Sequence, residues 1–346
     1  MIESTIKLTE YSKIGGCSCK IAPEVLHQIL QTDINFTDPN LLVGNATADD
    51  AAVYQLNEEE CIISTTDFFT PVVNDAFDFG RVAATNAISD VYAMGGNPIM
   101  AIAMLVWPVD KLPVTLAQQV LNGARTVCNA AGIALAGGHS VNGLEPMFGL
   151  AVTGKIKTTH IKKNCTPQVN DVLYLTKPIG SGILTAALKR NVLPQQNYNA
   201  LITIMTTLNS FGAQLGALPY VSALTDVTGF GLIGHLIEML QQSALTASIN
   251  TNAIPIIDGA SELAKAFVFP DNTTRNYNAH KHLVTGMQGL DFLTLCDPQT
   301  SGGLLISINA TSAQAFEQLA QQHNQTLFKI GSIVPQTNEF KINVKN

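Results

Sequence analysis

Asn86-Ala87-Ile88-Ser89-Asp90-Val91-Tyr92-Ala93-Met94-Gly95-Gly96 ends a helical pattern that begins near residue 81 and leaves it through two glycines, a helix stop signal. The strand-like run Cys61-Ile62-Ile63-Ser64-Thr65-Thr66 precedes it, and another over 99–106 follows it. With further strand-like runs at 51–54 and 148–153 and a helical pattern at 115–132, the order predicts one mixed α/β domain over residues 46–156. Residues 1–45 hold Gly15-Gly16-Cys17-Ser18-Cys19-Lys20, a helical pattern at 23–30 and the turn Asp38-Pro39-Asn40, and read as a flexible arm. A polar, lysine-rich connection over 155–164, followed by Thr166-Pro167, separates the first domain from a second α/β domain over 157–346. There the pattern repeats. A strand is expected at 171–176, helices opened by Gly180-Ser181-Gly182 and by Gly229-Phe230-Gly231 (231–242), a long helix near 197–216, and a strand at 301–308. Asp226-Val227-x-x-x-Gly231 echoes Asp90-Val91-x-x-x-Gly95, a match short enough to arise by chance.

The 346 residues are enough for two cores. Only 13% of them are charged, about half the usual ~25%, and such a surface suits burial against a second subunit. With 26 acids against 19 Lys and Arg the net charge is −7, so no basic field is available for nucleic acid. The same shortage of cations means that a bound triphosphate must be neutralised mostly by divalent metal held on carboxylates. The apolar stretch 98–107 is about half the roughly 20 residues needed to cross a bilayer and reads as a buried strand. Its N-terminus lacks a signal-peptide pattern, and six cysteines without disulfide spacing fit a reducing compartment, so a cytoplasmic protein without a membrane partner is expected.

Four aspartates stand in Gly-, Thr- and Ala-rich settings: Asp67, Asp90, Asp226 and Asp297. Asp49-Asp50 add two carboxylates just before a strand. Each alone suits a helix cap or an Asx turn; together they make a candidate metal and phosphate site. Ala136-Gly137-Gly138-His139-Ser140 is either a phosphate-approachable strand end or a tight turn. G-x-x-x-x-G-K-[ST] does not occur, so a nucleotide would not bind through a P-loop. Cys17-x-Cys19 lacks a second pair to complete a zinc site. Lys20 beside it would favour a reactive thiolate, against which stands an exposed arm with incidental thiols.

In this order, Gly16-Cys17-Ser18-Cys19-Lys20, Asp38-Pro39-Asn40-Leu41-Leu42-Val43-Gly44, Asp49-Asp50-Ala51-Ala52-Val53, Ser64-Thr65-Thr66-Asp67-Phe68-Phe69, the 86–96 stretch, Ala136-Gly137-Gly138-His139-Ser140, Thr225-Asp226-Val227-Thr228-Gly229-Phe230-Gly231-Leu232 and Cys296-Asp297-Pro298-Gln299-Thr300-Ser301-Gly302-Gly303 resemble the selenide, water dikinases, or selenophosphate synthetases, over nearly the whole chain. The resemblance implies the two-domain α/β fold of aminoimidazole ribonucleotide synthetase. It also implies a homodimer joined through N-terminal-domain strands, with ATP and several Mg²⁺ ions bound, and conversion of ATP, selenide and water to selenophosphate, phosphate and AMP. Carried over by position, Cys17 and Lys20 are the expected catalytic residues. Lys20, Thr47, Ala48, Asp49, Asp67, Asp90, Gly138, His139 and Ser140 are expected at the nucleotide, and Asp50, Asp90 and Asp226 at Mg²⁺. A selenium-delivery protein is an expected partner. One departure falls at Phe269-Pro270-Asp271-Asn272, where related chains tend to carry glycine after the proline. The alternatives are another ATP-dependent enzyme of this superfamily, or a non-catalytic selenium or metal carrier that leaves the aspartates idle.

Overall fold

The computed structural model describes residues 6–12, 25, 28–29, 38–44 and 49–345. Among these, β1 (Leu41–Val43), β2 (Ala52–Gln55), β3 (Glu60–Phe69), β4 (Asn97–Trp107), β5 (Ala134–Asn142) and β6 (Met147–Lys157) make one sheet in the order β1-β2-β3-β6-β4-β5. Neighbours are antiparallel except β4 and β5, which run parallel. In β3, Cys61, Ile63 and Phe69 face the core while Ser64, Thr66 and Phe68 are exposed, the alternation of a sheet covered on one side. The cover is α1 (Ala76–Ala93) and α2 (Val114–Ala130). The Asp75 carboxylate accepts from Asp78 N–H to cap α1, and Gly95, at φ +79°, turns the chain out of it. Edge-on contacts of the Phe79 ring with Phe69 and Phe148, at 6.1 and 6.3 Å, tie α1 to the sheet.

The two helices touch backbone to backbone. A Cβ on Gly80 would stand 1.9 Å from the Val120 carbonyl oxygen, and one on Gly123 2.0 Å from that of Phe77. Gly80→Ala should therefore force α1 and α2 apart at a cost near the upper end of the ~1–3 kcal/mol typical of overpacking. The check is a urea titration, in which the variant's unfolding midpoint falls.

The second sheet holds β7 (Val172–Leu175), β8 (Val221–Asp226), β9 (Leu245–Asn250), β10 (Val284–Thr285), β11 (Leu304–Ile308), β12 (Phe328–Pro335) and β13 (Ile342–Lys345), in the order β10-β13-β9-β12-β7-β11-β8. In β7, Leu173 and Leu175 join one apolar cluster and Val172 and Tyr174 another, so both faces are covered and β11 is buried along its length. The helices of this half are α3 (Ser181–Lys189), α4 (Gln195–Thr206), α5 (Gly212–Leu215), α6 (Gly231–Leu240), α7 (Ala260–Lys265), α8 (Asp271–His280), α9 (Phe292–Leu295) and α10 (Ala313–Gln322). Ile183, Leu184, Leu201, Ile202 and Met205 from α3 and α4 share a core with Val82, Ala83 and Ala87 of α1, so α1 lies between its own sheet and the second half of the chain.

Several expectations change. The helix expected near 197–216 stops at Thr206, because Thr207 is extended (φ −79°, ψ 120°), and a short α5 follows. Only one face of the stretch 98–107 is buried: Ala101 and Ala103 are covered, whereas Met100 and Ile102 are each 43% exposed. Gly137 and Gly138 lie inside β5 rather than at a strand end or in a turn, and three residue steps on β5 match two on β4, a bulge. The departure at Phe269-Pro270-Asp271-Asn272 opens α8, whose first turn begins after Pro270; Asp271 needs no left-handed backbone there, and the positive φ falls at Phe267 (59°). Of the stretch read as an arm, residues at both ends are packed: Leu8 is buried and its N–H donates to the Asn74 carbonyl (3.3 Å), and β1 pairs with β2.

Candidate active site between the two halves

Asp49 and Asp50 precede β2, Asp67 lies on β3, Asp90 on the last turn of α1, and Asp226 ends β8. Their carboxyls act on one another. Burial pushes the Asp90 carboxyl well above its usual 3.8, and the negative charges of Asp67, Asp226 and Asp50 push it further while the Thr65 hydroxyl opposes them. Asp50 is raised in the same way, by burial and then by Asp226, with the Thr225 hydroxyl opposing and Glu238 and Asp49 adding to the rise. Both halves of the chain thus contribute to one acidic cluster.

Each carboxylate is held by a neutral donor. Thr65 Oγ1 donates to Asp90 Oδ2 (2.5 Å), Asn86 Nδ2 to Asp67 Oδ2 (2.5 Å), and the Asn164 N–H to Asp49 Oδ1 (2.8 Å). Two side-chain holders cross between the halves: Thr225 Oγ1 donates to Asp50 Oδ1 (2.9 Å), and Ser89 Oγ donates to Asp226 Oδ2 (2.6 Å). Asn86 also crosses, its Oδ1 accepting from the Ser301 N–H (2.8 Å). Val82, Asn86, Ser89 and Asp90 share one face of α1 by their spacing, so this face is where the halves meet. The Lys177 ammonium is buried behind the cluster, donating to the carbonyls of Thr207 (2.6 Å) and Ser301 (2.9 Å). Burial lowers it to about 7, partly offset by the Asp226 charge.

Asp50 Oδ2 is shut off from water and has no hydrogen-bond partner among the described residues. An orphaned carboxylate oxygen beside three other carboxylates is costly unless a cation meets it. The donor set is oxygen only, which suits a hard divalent ion. Among the described residues no three His, Cys, Asp or Glu side chains converge closely enough to hold an ion unaided. That fits an ion that takes one or two carboxylates and fills its shell from water and substrate phosphate.

Gly138, His139 and Ser140 stand apart from this cluster. They lie on exposed β5, and the order β3-β6-β4-β5 puts two strands between them and Asp67, roughly 14 Å at the usual strand spacing. Cys17, Lys20, Thr47 and Ala48 fall outside the described residues. Asp297, one of the four aspartates singled out from the sequence, caps a helix instead: its Oδ2 accepts from the N–H groups of Gly182 (3.0 Å) and Ile183 (3.3 Å) at the start of α3 and from Gln299 Nε2 (2.9 Å). Burial nevertheless carries its carboxyl to about 8. A group whose folded-state pKa is raised binds its proton more tightly when folded, so the stability it lends is full below the ordinary 3.8 and is lost as pH climbs through about 8. Asp297→Asn should flatten the decline in thermal stability across that window, as read by melting curves at a series of pH values.

The sequence did not single out Thr65, Asn86, Ser89, Lys177, Asn209 or Thr225 as site residues. Several of them stand inside or next to the quoted motifs, and a polar residue at a buried helix or strand position next to a candidate aspartate was the available signal.

Two family descriptions match the chain: "AIR synthase related protein, N-terminal domain" over residues 48–156 and "AIR synthase related protein, C-terminal domain" over 168–342. The selenide, water dikinase of Shewanella sp. (strain ANA-3) is 52% identical over 330 residues, covering 95% of this chain and 94% of the relative. Among solved structures, thiamine-monophosphate kinase from Stenotrophomonas maltophilia K279a superposes with TM-score 0.65 at 19% identity, covering 93% of this chain and 94% of the kinase. Hydrogenase maturation protein HypE in complex with ATP gives TM-score 0.63 at 18% identity over 86% and 82%. The two structures share the fold alone, whereas the dikinase shares half its residues from end to end, and the chain belongs to the selenide, water dikinase family of AIR synthase-related proteins.

Proposed function

We propose that this protein makes selenophosphate, converting ATP, selenide and water to selenophosphate, phosphate and AMP. The observation that carries the reading is the 52% identity to a selenide, water dikinase across 95% of the chain. The acidic cluster with its orphaned Asp50 oxygen supports it, since phosphoryl transfer consists mostly of positioning and charge neutralisation.

In this reading Asp50, Asp90 and Asp226 hold Mg²⁺, which when bound neutralises the phosphates and the developing charge of the transferring group. Asp49 and Asp67, with Thr47 and Ala48, line the nucleotide. Lys20 reaches the transferring phosphoryl and Cys17 guides selenium to it. Thr225 and Ser89, donating across the halves, keep Asp50 and Asp226 in place. Gly138, His139 and Ser140 serve the nucleotide of a second copy of the chain, which is why they stand on a free edge. Support for such a homodimer comes from the open face of the first sheet, where Phe68, Met100, Ile102 and Val141 are all more than 40% exposed. A cytoplasmic setting is supported by free thiols at Cys61, Cys128, Cys165 and Cys296; no described helix is long and apolar enough to cross a membrane. Selenide is toxic when free, so a delivery protein is the expected source.

The test is an anaerobic ³¹P NMR time course with Mg-ATP, with and without selenide. AMP, phosphate and a selenium-bonded phosphorus signal that needs selenide are the expected result. ADP as the stable product would point to a kinase such as the structural relatives, and unchanged ATP to a carrier. Cys17→Ser should lose selenide-dependent turnover; full turnover would remove the thiol from the mechanism.

A further inference from the structure

Ser89 and Asn209 are buried polar residues on opposite sides of the junction, 0% and 4% exposed, and the chemistry described so far does not need Asn209. Asn209 Nδ2 donates to Ser89 Oγ (2.8 Å) and to the Gly302 carbonyl (2.8 Å). The carbonyl can only accept, so the amide nitrogen must face it and the same nitrogen faces the hydroxyl. Ser89 Oγ, accepting from Asn209, has one proton, which goes to Asp226 Oδ2 at 2.6 Å. Asn209, anchored on the Gly302 carbonyl, therefore starts a chain that donates in one direction, Asn209 to Ser89 to Asp226, and ends on a carboxylate that is 1% exposed.

The backbone is arranged for this contact. α4 stops at Thr206 and the next four-residue helix starts at Gly212, whose N–H donates to the Asn209 carbonyl (2.9 Å). A Cβ on Gly212 would stand 2.3 Å from the Tyr92 carbonyl, so the interruption of this helix is pressed onto the end of α1, next to Ser89. A continuous helix over 197–216 would not present Asn209 there.

We infer that Ser89 and Asn209 are positioning residues for Asp226, a relay across the junction that fixes the carboxylate's rotamer for the divalent cation. Ser89 is adjacent to Asp90 on α1, so the relay sets the carboxylate of one half relative to that of the other. Donors behind a ligating carboxylate typically contribute 10–100-fold in metal affinity. The inference rests on the reading of Asp226 as a metal residue.

The experiment measures Mn²⁺ binding to the full-length, metal-free protein by the loss of the free-ion EPR signal. It compares the parent, Ser89→Ala, Ser89→Cys, Asn209→Ala, the Ser89→Ala/Asn209→Ala pair and Asp226→Asn. Ser89→Cys fills the hydroxyl's space with a weak donor, so it separates a lost hydrogen bond from a cavity and stands in if the alanine variant fails to fold. The expected result is a dissociation constant raised about 10-fold in both Ser89 variants, a smaller rise in Asn209→Ala, and no further rise when Asn209→Ala is added to Ser89→Ala. Unchanged affinity in the Ser89 variants with weakened binding in Asp226→Asn overturns the relay and leaves the metal reading standing. Fully additive losses in the pair also overturn it, since the two residues would then act separately. Unchanged affinity in Asp226→Asn removes the metal reading and the relay with it.

Discussion

Asp50→Asn should make the metal-free protein melt at a higher temperature while lowering Mg²⁺-dependent turnover on the order of 10²–10³-fold. Both effects have one origin. Without a cation, Asp50 has a solvent-excluded oxygen with no donor and faces the charge of Asp226, and this is what drives its carboxyl above the usual range. An amide cancels the repulsion and brings N–H donors to neighbours that otherwise only repel, while its oxygen still accepts from Thr225 Oγ1. The pH dependence has a definite sign. Because the folded-state values of Asp50 and Asp90 are raised, the stability they lend is full below 3.8 and falls as pH rises through those values. The parent in EDTA should thus melt lower at pH 8 than at pH 5, Mg²⁺ should restore it, and Asp50→Asn should gain least from Mg²⁺. Scanning fluorimetry with and without the ion reads all of this. A variant that melts no higher than the parent in EDTA would mean that the carboxylates do not repel in the folded state.

Gly138→Val should detach β5 from the sheet edge and abolish both dimerisation and turnover while leaving the chain folded. Gly138 sits at φ +153° in the β5 bulge, and a Cβ there would stand 2.1 Å from the Ala103 carbonyl oxygen of β4. That oxygen is backbone and cannot swing away, so the strand must move. Overpacking of this kind costs ~1–3 kcal/mol, but it falls on an edge strand whose residues 136–142 are exposed rather than on the core. The loss should therefore appear in association: a weight-average mass near that of one chain by sedimentation, with nearly parental circular dichroism. Gly132→Ala is the control, since it also has a positive φ (+73°) but no atom within 4 Å of the added carbon. If Gly138→Val remains a fully active dimer, β5 is not the joining edge.

Gly138 also shows what the sequence hides. The strands and helices around 86–96 are legible because apolar patterning reports burial; β3 alternates as expected, whereas α1 is buried continuously over 82–93 because it lies between its own sheet and the second half. Gly137-Gly138 looks like an interruption, because glycine carries no apolar signal and usually breaks elements, whereas the sheet uses Gly138 where two backbones come close. Asp271-Asn272-Thr273-Thr274-Arg275-Asn276 has poor helix propensity, and its helix is held by tertiary burial of Asn272, Thr273 and Asn276, the last donating to the Gly229 and Cys296 carbonyls. The 98–107 stretch reads as buried because its apolar content is the same on both faces, and only the face carrying Ala101 and Ala103 is covered. Within the site, Asp50, Asp67, Asp90 and Asp226 could be picked from their surroundings, but Asp297 looked the same and proved to be a cap. Their holders, Thr65, Ser89 and Thr225, come from separate elements; Thr65 meets Asp90 through the packing of α1 on β3, and Ser89 and Thr225 meet their carboxylates only when the two halves dock.

The placement of α1 also bears on how the chain is made. Strands β1–β6 and both their helices lie between residues 41 and 157, so the first half has everything it needs to fold before the second half leaves the ribosome. Its docking face must then wait for β8 and for β11, which starts at Leu304, about 150 residues later, or roughly 8–30 s at ~5–20 residues per second. During that interval the waiting surface is Val82, Ala83, Asn86, Ala87, Ser89 and Asp90 rather than a row of leucines, and a nascent half with a face of small and polar residues is a poor target for aggregation. Substitutions that make this face more apolar should therefore reduce the yield of soluble protein in cells by more than their effect on the finished molecule.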